Sequence, residues 1–377
     1  MNVCVLIDAW EPIWGGGQAH VWEISRRLVA NYDCRIDVFT RSLIDESGKK
    51  FTKTEKFFRS KLTLRRVGPS THFFSLFGRL IWMFTVLVAI WRNHQKQPYT
   101  LIHAHAYSAA IPGKLLNLIL HIPIVFTVHG ANNLELNQQN AITLIEKWLL
   151  TKIYFDREIS VTKSFLRYPN VNKNIAVIPN GVNMSLFTSL RKSPAKSGFF
   201  TLLWVGRFDK VKAIDVLIKA FKKVVEVNKN VKLILIGYGY EEQSLKLLVQ
   251  ELRLTPYVAF VGKRKPKEII QYYLSADIYV LPSNSEGLSI SLLEAWAAKL
   301  PVIATTVGDH ALLVKDKVNG FLVQPGDSTS LAATILKARS SRALKKMGVN
   351  GYNLVRTTYT WERATKQTNQ VYQSLTL

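Results

Sequence analysis

Two carboxylates stand out in the C-terminal half: Glu286 and, eight residues on, Glu294, with Gly287-Leu288-Ser289 between them. The run before them, Ile278-Tyr279-Val280-Leu281, is short, β-branched and uninterrupted, which reads as a buried parallel strand. Pro282 ends that strand, and a polar, glycine-containing loop then opens a helix. The first turn of a helix leaves backbone N–H groups unpaired, here around Gly287 to Ser289. Those donors and the positive end of the helix dipole make a seat for a phosphate. A phosphate seat needs no acid. The two glutamates therefore either do something else to a bound ligand, or are merely a helix cap and a solvent-facing side chain.

Cations that would suit such a ligand occur at Arg207 and Lys212, flanking the loop that leaves the strand Phe200–Val205. A guanidinium and an ammonium there can neutralise a diphosphate. Taken singly, each is also an ordinary exposed basic residue. His129 ends the apolar run Ile124–Val128 and precedes Gly130, where an imidazole can bond a sugar hydroxyl or handle a proton. His103 and His105 alternate as strand neighbours on one face. A metal pair there would need a third ligand, and none stands out, so structural support is expected. Gly15-Gly16-Gly17 follows the first strand and lets a backbone approach a ligand, although it lacks dinucleotide-binding spacing and also suits a flexible turn. Gly237-Tyr238-Gly239 reads as a tight turn.

These residues sit in a βαβα rhythm. Strands are expected at Val3–Ile7, Arg35–Phe39, Leu62–Val67, Leu101–Ala104, Ile124–Val128, Glu158–Val161 and Ala176–Ile178. Helical patterns fall between them at Gln18–Ala30, Phe73–Trp91, Ser108–Leu118 and Ala141–Tyr154. Ile178-Pro179-Asn180-Gly181-Val182 stops the rhythm, and the polar stretch Arg191–Gly198 follows it. A second βα series then runs from Phe200 to Ala304, and a last helical pattern spans Trp361 to Leu375. The pattern predicts two doubly wound parallel sheets in separate domains, and ligands in such sheets lie beyond the carboxyl ends of the strands.

Composition sets limits. The 377 residues suit two domains, and 48% hydrophobic with 20% charged residues is globular. Cys4 and Cys34 are expected to be reduced core residues. The first eleven residues carry Asp8 and Glu11 but no Lys or Arg, which argues against a signal peptide. The formal charge of +24 calls for an anionic partner. It is spread over both halves and matches no nucleic-acid motif, so an anionic membrane surface is the better expectation and nucleic acid is not expected. Within Phe73–Trp91 the uninterrupted apolar part, Leu80–Trp91, is too short to cross a bilayer. Core packing and partial membrane contact both remain open for it.

Taken together, these motifs resemble the retaining glycosyltransferases of family 4, with the GT-B architecture. The resemblance rests on Glu286-Gly287-Leu288 through Leu293-Glu294-Ala295 to Pro301-Val302-Ile303-Ala304-Thr305, a Glu-x7-Glu signature. It extends to Gly15–Gly17, Ile102-His103-Ala104-His105, Thr127-Val128-His129-Gly130, Ile178–Val182 and Gly206-Arg207 with Lys212. It implies two facing Rossmann-like domains, 1–183 for the acceptor and 184–358 for the nucleotide sugar, with a crossover helix at 359–377 returning to the first domain. By the same resemblance Arg207 and Lys212 hold the donor diphosphate with the amides at Gly287, Leu288 and Ser289. Glu294 binds the ribose, Glu286 the transferred sugar, His129 faces that sugar, and Gly15, Gly16 and Gly17 close over the donor. Ala213 and Lys299 stand where the family often has glycine, Gly308-Asp309 replaces a glycine pair, and Leu312 occupies a frequent Glu position.

The expected reaction is retaining, metal-independent sugar transfer from a UDP- or GDP-sugar to a saccharide or lipid-linked acceptor. No cofactor is expected, since no Asp-x-Asp metal clamp is present. A cytoplasmic enzyme touching the inner membrane face, in cell-surface polysaccharide or glycolipid synthesis, fits the charge. A nucleotide-sugar epimerase would use a similar cleft without an acceptor, and a non-enzymatic basic binder would need no Glu286.

Overall fold

The computed structural model describes residues 1–45, 47–130, 141–189 and 198–376. The polar stretch expected at the domain boundary lies, from 191 to 197, outside the described residues. The chain forms two compact units, Met1–Pro179 with Trp361–Leu377, and Asn180–Thr360.

The first unit is built on eight strands: β1 (Asn2–Ile7), β2 (Arg35–Leu43), β3 (Thr54–Phe57), β4 (Leu62–Thr71), β5 (Leu101–His105), β6 (Ile124–Val128), β7 (Arg157–Ser160) and β8 (Ile175–Val177). Their order is β3-β4-β2-β1-β5-β6-β7-β8, parallel throughout except for the antiparallel edge pair β3–β4. The edge strand β3 was not expected. Its four residues alternate between exposed and half-buried, and so carry no apolar run to announce it.

Alternation along the strands divides the sheet's side chains between two layers. Ile102, Ala104, Phe126 and Val128 face a core completed by the helices Leu76–Lys96, Tyr107–Leu120 and Ala141–Lys152. The helices Gly16–Tyr32 and Trp361–Thr376 pack against each other, and the latter also meets β5. The helix expected over Phe73–Trp91 runs from Leu76 to Lys96, started by the Ser75 side chain, which accepts from the Gly78 amide. By length and composition it could cross a membrane. Trp82, Val86 and Ile90 nevertheless pack fully buried in the core, while Phe77, Phe84 and Val88 on its outer side are exposed.

The second unit has six parallel strands: β9 (Phe200–Arg207), β10 (Val231–Tyr238), β11 (Val258–Gly262), β12 (Ile278–Leu281), β13 (Val302–Thr305) and β14 (Gly320–Val323). The order β11-β10-β9-β12-β13-β14 places a topological switch between β9 and β12. At such a point the connections leave in opposite directions, and a crevice opens beyond the carboxyl ends of the strands.

Candidate active site

Both loops at the switch point of the second unit carry the residues singled out in the sequence. After β9 the chain passes Asp209, makes a 3-10 turn at Lys210–Lys212 and enters the helix Ile214–Val227. After β12 it runs from Pro282 to Ser289 before the helix Ile290–Ala297. The two loops are clipped together by the Asn284 amide, which donates to the Val211 carbonyl at 2.8 Å.

That clip brings Lys212 to Glu286. Lys212 Nζ lies 2.7 Å from Glu286 Oε1, and the Ser283 hydroxyl donates to the same oxygen at 2.8 Å. Ser283 is held in turn, since Thr305 at the end of β13 donates to its carbonyl at 2.6 Å. Burial, the largest single influence, would raise the Glu286 carboxyl; the charge of Lys212, His310 and the two hydrogen bonds together outweigh it and hold the group below the usual carboxylate range. The carboxylate is thus ionised, buried and aimed by two donors. His310 was not anticipated from sequence. It is fully buried, burial pushes its pKa down, and only the fold brings it into the field of Glu286.

Glu294 differs in kind. It is partly exposed, one turn into the helix, and its Oε2 accepts the Tyr273 hydroxyl at 3.0 Å. Tyr279 of β12 donates to Ser291 in the same turn at 2.7 Å, which braces this helix against the strand. Ser289 occupies the cap position in extended conformation, and no side-chain bond caps the helix. Its hydroxyl instead pairs with that of Ser291 at 2.9 Å. The helix therefore begins at the crevice with its positive end unmasked by a capping side chain. The Leu288 carbonyl is fixed from behind by Asn180 at 3.1 Å, and Gly287 accepts from the Asp309 amide at 3.3 Å.

Arg207 stays apart from the Lys212–Glu286 pair. Its side chain is exposed at the end of β9, with Nη2 2.9 Å from Asp209 Oδ2, and Asp209 is buried. Both cations are thus balanced by carboxylates in this state, a diphosphate being a stronger anionic competitor for either. Asp209 had not been foreseen as that balance.

Two departures from the family pattern acquire a conformational meaning. Ala213 and Lys299, where glycine is common, adopt φ of 49° and 59°. The left-handed region disfavours residues with a Cβ by roughly 1–2 kcal/mol. Leu312 is exposed.

Gly15, Gly16, Gly17 and His129 belong to the first unit. Gly15 takes the cap position in extended backbone, and Gly16 and Gly17 begin the helix Gly16–Tyr32. An added Cβ on Gly17 would sit 3.7 Å from the His129 ring, so the glycine turn lies directly against that imidazole. His129 Nε2 is 3.1 Å from His105 Nδ1. His20, which sequence reasoning missed, packs edge-on to His129 with centroids 5.0 Å apart. His103 has both nitrogens engaged, with Tyr372 and with Thr127. Burial pushes the pKa of His103, His105 and His129 well down, so the cluster is neutral. Among the described residues no group of His, Cys, Asp and Glu is placed to hold a metal.

Comparison with known proteins completes the picture. Residues 14–186 match the family described as Glycosyltransferase Family 4, and residues 187–354 match Glycosyl transferases group 1. A UDP-Gal:alpha-D-GlcNAc-diphosphoundecaprenol alpha-1,3-galactosyltransferase of Escherichia coli is 26% identical over 300 residues, covering 72% of this chain and 76% of its own. The solved sucrose-phosphate synthase of Thermosynechococcus elongatus superposes with a TM-score of 0.86 at 24% identity, over 99% of this chain and 98% of that one. Anabaena HepE, solved in complex with UDP-glucose, superposes with a TM-score of 0.79 at 20% identity, each chain fully covered. With the two family models meeting at residue 186 and the architecture of their solved members reproduced, this chain belongs to the group 1, family 4 glycosyltransferases, which use nucleotide-sugar donors, and has the GT-B fold.

Proposed function

We propose that the protein transfers a sugar, with retention of configuration, from a nucleotide-diphosphate sugar to a saccharide or lipid-linked acceptor. In this reading the second unit takes the donor. Lys212 and Arg207 exchange their carboxylate partners for the diphosphate, and the loop leading into the helix Ile290–Ala297 adds its amides at Gly287 to Ser289. Glu286 accepts hydroxyls of the transferred sugar, Glu294 those of the ribose, and His129 with the Gly15–Gly17 turn serves the reacting sugar and the acceptor from the first unit.

The observation that carries the reading is the Lys212–Glu286 pair at the β9/β12 switch, 2.7 Å apart and braced by Ser283. As the glycosidic bond breaks, oxocarbenium character grows on the sugar and negative charge grows on the departing diphosphate. Fixed protein cations stabilise that second charge, so the proposal requires no metal. Attack on the front face, assisted by the leaving phosphate, gives retention. Double displacement would need a nucleophile, and no residue in the sequence declares itself as one.

The Escherichia coli relative's lipid diphosphate acceptor supports a place in polysaccharide or glycolipid synthesis. The basic charge supports a cytoplasmic location at an anionic membrane face. The test is a donor screen read by released nucleoside diphosphate, with and without lipid-linked saccharide acceptors, alongside Glu286→Ala. Turnover should need an acceptor, fall by at least about a hundredfold in the variant with melting unchanged, and give a product of the donor's anomeric configuration. Donor consumption indifferent to acceptor would instead indicate rearrangement of the nucleotide sugar. Unchanged function in Glu286→Ala would indicate a binding protein.

A further inference from the structure

The first unit carries an apolar surface that is exposed among the described residues. The helices Leu76–Lys96, Tyr107–Leu120 and Ala141–Lys152 lie side by side on one sheet face, and Trp82, Val86, Leu116 and Leu149 join a single buried cluster beneath them. Their outward positions do not turn polar. On the first helix Phe77, Leu80, Phe84, Val88 and Trp91 recur every three or four residues on the outer side, with Phe77 73% and Phe84 71% exposed. The second helix continues the surface with Leu118 and Ile119, and the third with Leu144 and Trp148, all exposed. A helix that merely covers a core presents polar residues outward. Contiguous apolar patches of this kind mark contact with another phase or molecule.

The charges say which. The first two helices contain no carboxylate, and the only one in the third, Glu146, is buried. Arg92, Lys96, Lys147 and Lys152 are exposed around the apolar positions. A second copy of this chain docking through the same face would set like charges against like across a two-fold axis. Anionic lipid headgroups neutralise them. Nor does the first helix span a bilayer, because it is fastened down at its start. Arg41, fully buried, donates to the carbonyls of Phe73 at 2.7 Å and Ser75 at 3.1 Å, and Arg79 lies 3.1 Å from Asp8 at the end of β1.

We propose that these three helices form one platform that lies on an anionic phospholipid bilayer, its aromatic and aliphatic side chains in the interface and its basic rim on the headgroups. This deepens the membrane part of the function proposed above and rests on it only for location. Three segments far apart in sequence make the surface, and the fold alone assembles them.

The test is flotation of the full chain with phosphatidylcholine vesicles, with and without phosphatidylglycerol, at low and high salt. The wild type should float with phosphatidylglycerol present and much less without it. Phe77→Glu/Phe84→Glu, at exposed sites, should weaken flotation by at least about tenfold while keeping melting and acceptor-independent nucleoside diphosphate binding unchanged. Arg92→Gln/Lys96→Gln should remove the preference for the anionic lipid. A wild type that stays unbound at low salt overturns the proposal. So does a solution dimer that Phe77→Glu/Phe84→Glu converts to monomer, which would assign the face to a second copy. Loss of sugar transfer in the donor screen with flotation intact would overturn the functional reading and leave this surface standing.

Discussion

Tyr372 and His103, 269 residues apart in the chain, meet with the phenol oxygen 2.5 Å from the imidazole Nδ1. The other ring nitrogen lies 2.6 Å from the Thr127 hydroxyl, so a strand, its neighbour and the last helix are joined through one buried side chain. At the start of that helix Trp361 packs on His20, and Glu362 accepts from Arg27 at 3.0 Å. The last helix is therefore structural material of the first unit.

Tyr372→Phe keeps the ring and removes the oxygen, leaving a buried imidazole nitrogen without its partner. An unsatisfied buried polar atom costs about 1–3 kcal/mol. Chemical denaturation should show a loss of that size, and a variant as stable as wild type would mean the bond contributes nothing.

Acid should unfold the protein earlier than its carboxylates alone would predict. Burial holds His103, His105 and His129 neutral, their pKa values lowered in the folded state. The unfolded chain protonates each near pH 6.5, so their contribution is present above that pH and lost as pH falls below it. Glu158 opposes this, because burial pushes its carboxyl up to about 7 and its contribution is lost as pH rises toward that value. These imidazoles outweigh one carboxyl, so on balance stability should fall as pH drops below about 6.5. A Tm that does not fall between about pH 7 and pH 5 would refute the neutral cluster.

Removing Lys212 should have two separable effects. Lys212→Ala leaves the Glu286 carboxylate buried without its cation, so its pKa should rise. The stability loss should be about 1–2 kcal/mol, discounted because the Lys212 side chain is partly exposed. Affinity for UDP or GDP should drop at least about tenfold by titration calorimetry. Nucleotide binding as tight as wild type would place the diphosphate elsewhere.

Gly308 sits at φ 49°, and an added Cβ would lie 1.9 Å from the Glu286 carbonyl oxygen. Backbone cannot yield as a side-chain tip can, so Gly308→Ala should displace the Glu286 loop and destabilise by roughly 3 kcal/mol. Turnover should fall further than nucleotide affinity, because Glu286, proposed to meet the transferred sugar, is displaced directly, whereas Arg207 and Lys212 sit on the other loop. Equal losses in both would argue against a special role for the Glu286 position.

Much of the site was legible because each of its parts is local. The strand at 278–281, its Pro282 stop and the Glu286/Glu294 spacing announce a strand–loop–helix unit by composition and periodicity, and Gly206-Arg207 with Lys212 announces another. Where a signal is weak by nature it failed: the half-exposed β3 has no apolar run, and helix ends moved by a few residues.

The amino-acid order by itself determined the alternation of strands and helices, the parallel sheets that follow from it, and the residue types at each strand's carboxyl end. Hydrophobic period and turn chemistry are short-range properties, read within a dozen residues. Tertiary structure alone decided that Lys212 pairs with Glu286, that Asp209 balances Arg207, that His20 joins His105 and His129, and that three helix faces make one apolar surface. Those relations depend on strand order and on which face each helix covers. They join positions tens to hundreds of residues apart, for which local pattern carries no information.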